Sequence, residues 1–82
     1  MKGFIKCIAT AVRDGSGMVT LSFDEDYITE HRDDELSTLL DEFTEIFNST
    51  KEINGKELYP EMVELWITDN GYARSTTYPA VE

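Results

Sequence analysis

Residues Asp33 to Phe47 read DDELSTLLDEFTEIF. Leu36, Leu39, Leu40, Phe43, Ile46 and Phe47 recur at spacings of three and four, which stacks them along one face of an α-helix. Asp34, Thr38, Asp41 and Glu45 fall on the opposite face. Asp33 or Asp34 carries the short carboxylate that caps a first turn, and acids there sit at the positive end of the helix dipole. Asn48, Ser49 and Thr50 form helices poorly, so the helix is expected to end between Asn48 and Lys51. A single amphipathic helix needs an apolar surface to lie on, and the flanking sequence supplies one.

Upstream, Phe4 to Val12 (FIKCIATAV) is rich in strand formers. Strict alternation puts Ile5, Cys7, Ala9 and Ala11 on one side, and Phe4, Ile8 and Val12 on the other beside Lys6 and Thr10. Asp14-Gly15-Ser16-Gly17 supplies a tight turn, and Met18 to Phe23 returns with Val19, Leu21 and Phe23 on one face, which makes a hairpin. Asp24 to Glu35 (DEDYITEHRDDE) is polar enough to read as a loop anchored by Tyr27 and Ile28. Downstream, Asn54-Gly55 closes either a tiny hairpin or a loop. Met62 to Tyr78 forms a second hairpin around Asn70-Gly71, the residue pair that suits a type I′ turn. With those two residues in the turn, Trp66 faces Ser75, Thr68 faces Ala73, Leu65 faces Thr76 and Val63 faces Tyr78. Val63, Leu65 and Ile67 then point to the core and Trp66 to the other side of the sheet. The expected fold is α+β with the order ββαββ, a four-stranded antiparallel sheet with one amphipathic helix on one face, in a single domain spanning residues 1–82.

The chain has 82 residues, 17 Asp plus Glu against 7 Lys plus Arg, a net charge of −10, one Cys and one His. A domain of this size buries roughly 60% of its unfolded surface, enough for one modest core. Nine aromatic residues (one Trp, four Tyr, four Phe) set it apart from acidic disordered chains. Cys7 has no partner for an internal disulfide, which points to a reducing, cytoplasmic setting. Lys6 interrupts the apolar stretch at the N-terminus, so a leader peptide is not expected, and no run approaches the ~18 apolar residues of a membrane span. The negative charge repels nucleic acid and anionic lipid, so direct binding to either is not expected and partners should be basic or apolar.

Catalysis finds little support. His31 is the sole imidazole and lies among carboxylates, while Cys7 sits in a strand away from any activating group. Gly15 and Gly17 belong to a turn and form no phosphate-binding loop. Asp24, Asp26 and Glu35 stand at the first, third and twelfth positions of an EF-hand loop, but Thr29 occupies the position that needs Gly. The chain is therefore expected to be neither an enzyme nor a metal or cofactor binder.

The acids are concentrated. Ten of them (Asp24, Glu25, Asp26, Glu30, Asp33, Asp34, Glu35, Asp41, Glu42 and Glu45) lie between Asp24 and Glu45 with only Arg32 against them, a charge of −9. Asp34 and Glu45 are roughly 16 Å apart along the helix axis, a row whose charge density is of the order of a nucleic acid strand. Mutual repulsion should raise the pKa values of crowded carboxylates, so stability is expected to rise as pH falls from 7 toward roughly 5.

In size, charge, lack of catalytic residues and acidic helix face, rather than in any motif, the chain resembles the small acidic inhibitors encoded by bacteriophages, including DNA-mimicking anti-restriction and anti-CRISPR proteins. The resemblance implies a non-enzymatic inhibitor. Asp24, Glu25, Asp26, Glu30, Asp33, Asp34, Asp41, Glu42 and Glu45 would occlude a basic nucleic-acid-binding surface on a host defence or replication protein. An alternative reading uses Trp66, Tyr72, Arg74 and Tyr78 of the last hairpin as an interface, with Trp66, Met62, Phe4 and Ile8 on the sheet face that one helix leaves open, for a homodimer or a protein partner. A third, sequestration of a nucleotide, requires Lys6, Arg13 and Arg74 to converge.

Overall fold

The computed structural model describes residues 3–80, which leaves Met1, Lys2 and the last two residues of the expected tail outside the described residues. Strands β1 (Phe4–Arg13) and β2 (Val19–Phe23) are followed by helices α1 (Glu25–Glu30) and α2 (Asp34–Phe47). The short strands β3 (Lys51–Ile53) and β4 (Lys56–Leu58) come next, then β5 (Met62–Thr68) and β6 (Gly71–Thr77). The main sheet is antiparallel with four strands in the order β2-β1-β5-β6, so the two long hairpins join through β1 and β5. The fold is α+β, as expected, with two helices in place of one. No helix among the described residues is long and apolar enough to cross a membrane.

Helix α2 runs as its periodicity requires. Asp33 caps it by accepting the Leu36 N–H at 2.8 Å, and Asn48 ends it. Leu36, Phe43 and Phe47 are buried against Ile8, Ala9, Ala11, Val63 and Leu65, which together make the core. Leu39, Leu40 and Ile46 are half-buried around it. The helix packs chiefly on β5, and the small side chains of Ala9 and Ala11 on neighbouring β1 leave room for Phe43 and Phe47.

The segment Asp24 to Glu35 departs from the expected loop. Asp24 accepts the Tyr27 N–H at 3.0 Å and starts the short helix α1, whose first turn holds Glu25 and Asp26 and which buries no residue completely. Tyr27 and Ile28 do rest against the core. Six residues are too few to show helical periodicity, so the capping Asp was the available signal.

Two further departures concern β1 and the last turn. In the β1–β5 ladder Cys7 pairs with Trp66 and Ala9 with Leu65, which leaves Ile8 as an extra residue; Ile5 is another. These β-bulges break the alternation, and Ile8 turns to the helix side, where it is 1% exposed, rather than joining Phe4 and Val12 on the open face. In the β5–β6 hairpin the turn residues are Asp69 and Asn70, so Thr68 pairs with Gly71, Trp66 with Ala73, Leu65 with Arg74 and Val63 with Thr76. Gly71 supplies the positive φ of +124°, and Asp69 is held by its N–H donating to the Gly3 carbonyl at 2.9 Å. The register differs from expectation by two, which preserves the face of every side chain. Asn54-Gly55 does close a hairpin: both residues have positive φ, +52° and +81°, and β3 pairs with β4 across them.

Candidate functional site

The nine carboxylates expected to form one acidic surface divide into two groups. Asp24, Asp33 and Glu42 hold the fold together. Asp24 caps α1 and pairs with Lys6, and that ammonium, aided by the Tyr27 N–H, holds its carboxyl below the ordinary Asp value. Asp33 is occupied as the α2 cap, and Glu42 pairs with Arg74 at 2.9 Å. Glu25, Asp26, Glu30, Asp34, Asp41 and Glu45 are exposed and have no ion pair among the described residues. Three of these six belong to α1 and three lie along α2.

Repulsion among the acids is not what moves Asp24; its pKa goes down, opposite to the expected rise, because Lys6 is its nearest charge. Asp14 moves the same way, since the Ser16 hydroxyl and the backbone N–H groups of Met18 and Ser16 donate to its carboxylate. Both favour the ionised form.

The alternative quartet does not form one surface. Trp66 lies on the open face, its ring 5.6 Å from that of Phe4 and its buried Nε1 without a hydrogen-bond partner. Tyr72 and Arg74 point to the opposite, helix-covered side. There the Tyr72 hydroxyl meets that of Tyr27 at 3.1 Å, and Arg74 reaches Glu42. Tyr78 follows the end of β6 with the Lys51 ammonium 5.5 Å from its ring centre. Cys7, paired with Trp66, is partly buried, and burial pushes its thiol pKa up, which disfavours the reactive thiolate.

The three cations that a nucleotide site would require serve separate partners. Lys6 and Arg13 stand toward opposite ends of β1. The Arg13 guanidinium stacks on Phe47 at 4.4 Å and Tyr59 at 4.8 Å, and donates to the carbonyls of Pro60 and Phe47. Arg74 is engaged with Glu42.

A surface that alternation alone does not reveal lies along β2. Its helix-side residues Val19, Leu21 and Phe23 remain 45%, 56% and 44% exposed. With Ala11 they form one wall of a groove whose other wall is Phe43, Thr44, Phe47 and Asn48 of α2 and its cap. Next to it Asp41 and Glu45 line a shallow depression that shares Thr44 and Asn48, and Glu25 lies by Phe23 at the other end. Only counting helix width against four strands would have found this groove: one helix seated on β5 leaves the edge strand uncovered.

No family model, curated protein or solved structure matches the chain.

Proposed function

We propose that the protein is a non-enzymatic inhibitor that occupies a basic, nucleic-acid-binding surface of a host defence or replication protein. The observation behind this reading is the set of six exposed carboxylates on α1 and α2 that have no ion pair among the described residues, while Lys6 is taken up by Asp24 and Arg74 by Glu42. An ordinary solvated helix interleaves Glu with Lys at i, i+4, and α2 has no Lys or Arg at all. Charge of one sign on a rigid helix steers a basic partner to it and competes with the phosphates that partner would otherwise hold. Inhibition would be by occlusion, in the cytoplasm of the cell that contains the target.

Capture from bacterial lysate on the tagged protein, with duplex DNA or salt as competitor, tests the reading. The expected result is a basic nucleic-acid-binding protein that DNA and salt both displace. Asp34→Lys, Asp41→Lys and Glu45→Lys together should abolish its retention while the circular dichroism spectrum stays native, because none of the three caps a helix or makes an ion pair among the described residues. Undiminished retention by the triple variant would overturn the proposal.

A further inference from the structure

In the β1–β2 ladder Thr20 and Ser22 stand opposite Val12 and Thr10, and the adjoining turn bonds the Asp14 N–H to the Met18 carbonyl at 3.0 Å. The Asp24 N–H likewise donates to the Ile8 carbonyl at 2.9 Å. Because antiparallel bonding alternates residue by residue, these even-numbered positions turn their backbone groups to β1. The N–H and C=O groups of Val19, Leu21 and Phe23 therefore point away from the sheet, along its free edge. Their side chains are the half-exposed apolar wall of the groove beside α2.

Edge strands are ordinarily guarded by charge, proline or a bulge. β2 has none of these: VTLSF carries no charged residue, and both bulges of β1 lie on its β5 side while the β1–β2 register runs unbroken. The opposite edge, β6, is guarded by Arg74. What surrounds the β2 groove is negative. Asp41 and Glu45 lie along its α2 side and Glu25 at its Phe23 end.

We infer that β2 is a docking edge for an extended segment of the partner rich in Lys and Arg, which adds to the sheet as a fifth strand. Its backbone bonds to Val19, Leu21 and Phe23. The alkyl stems of its basic side chains cover Leu21 and Phe23, and their charged ends reach Asp41, Glu45 and Glu25. A second copy of this chain is the wrong occupant, because meeting edge to edge would bring the same three carboxylates of two molecules, each of charge −10, toward one another. The inference rests on the reading of the partner as basic and specifies how it is held.

The test uses a short, end-blocked peptide alternating lysine with threonine, titrated into the isotope-labelled full chain and followed by NMR. The Lys peptide should shift and protect from exchange the amides of Val19, Leu21 and Phe23, and the matching Glu peptide should not. Leu21→Lys should abolish the effect, whereas Thr76→Lys, the same change of charge on the opposite edge strand, should leave it intact. No response at all, or shifts on α1 and α2 without protection at β2, would overturn strand addition; the second outcome leaves the acidic surface in play. Concentration-dependent shifts at β2 in the protein alone would instead assign the edge to a second copy. Failure of lysate capture with a positive peptide titration would remove the proposed target while keeping the edge.

Discussion

The hydroxyls of Tyr27 and Tyr72 lie 3.1 Å apart, one on α1 and the other on the edge strand β6. This bond, the Asp24 cap and the Tyr27–His31 stack, with ring centres 4.0 Å apart, hold a helix that buries no residue completely. Hydrogen bonding to Tyr27, then burial, pushes the Tyr72 hydroxyl up to about 12. A group whose folded pKa is raised supports the fold fully below its unfolded value and loses that support as pH climbs through the folded one. Phenolic absorbance should therefore show Tyr72 ionising near pH 12, with α1 losing protection against exchange over the same range. Tyr27→Phe should bring the Tyr72 titration down toward the ordinary tyrosine value; an unchanged titration would refute the coupling.

Arg13 does at the end of α2 what the helix's own last turn, which has no basic residue, does not. Its guanidinium bonds the Phe47 carbonyl and lies against two aromatic rings. Arg13→Ala is expected to cost about 1–3 kcal/mol in urea unfolding, from lost cation–π contact and lost hydrogen bonds to carbonyls. Arg13→Lys should recover only part, since a point charge cannot reproduce the planar stack. Full recovery by Lys would mean that charge alone matters there.

Asp33 and Asp34 are adjacent acids with different work. Asp33→Ala removes the cap on Leu36 and should destabilise by about 1 kcal/mol. Asp34→Ala, whose exposed side chain makes no hydrogen bond or ion pair among the described residues, should stay within about 0.5 kcal/mol of the native protein. Equal losses at the two positions would place the effect in the helix dipole rather than in the cap.

Asp14 and Asp24 are both held below the usual carboxylate range. A depressed folded pKa contributes stability above the unfolded value that is lost as pH falls through the folded one, so the melting temperature should drop below about pH 4. The Lys6 ammonium, raised by its bond to Asp24, works at the other end of the scale: its contribution holds below the ordinary lysine value and goes as pH rises beyond it. Asp24→Asn should remove the Asp24 share of the acid limb and the Lys6 share of the alkaline limb in thermal melts, leaving those of Asp14 and Tyr72, while keeping a side-chain oxygen to cap α1. At pH 7, added salt should raise the melting temperature by screening a net charge of −10. Insensitivity to salt would show the charges to be too dispersed to matter.

Helix α2 was legible to its cap because fourteen residues contain enough turns for periodicity to declare itself. Both long hairpins and the face assignments of Val63, Leu65, Ile67 and Trp66 were legible from period-two alternation. The bulges of β1 were not, since a bulge is a fault in the alternation being read, and Ile8 changes face because of one. The β5–β6 register slipped by two because Asn-Gly was placed at the turn centre, whereas Gly71 follows the turn and the Asp69 N–H is tied to Gly3, sixty-six positions earlier. The carboxylates of the candidate site were visible as composition, but composition cannot separate Asp24, Asp33 and Glu42, which brace the fold, from the six that face outward. The β2 groove depends on where α2 comes to rest, a three-dimensional fact with no local signature.

The absence of charge on β2 gives the carboxylates a second duty. A strand edge with no guard of its own is kept from fibrillar stacking by the electrostatic repulsion of the whole molecule. Solubility is thus delegated to residues elsewhere in the chain. Acidification, or any substitution that neutralises α1 and α2, lowers the barrier to cross-β association before it disturbs the core, and shelf life in solution becomes a property of Asp41 and Glu45 as much as of Leu21.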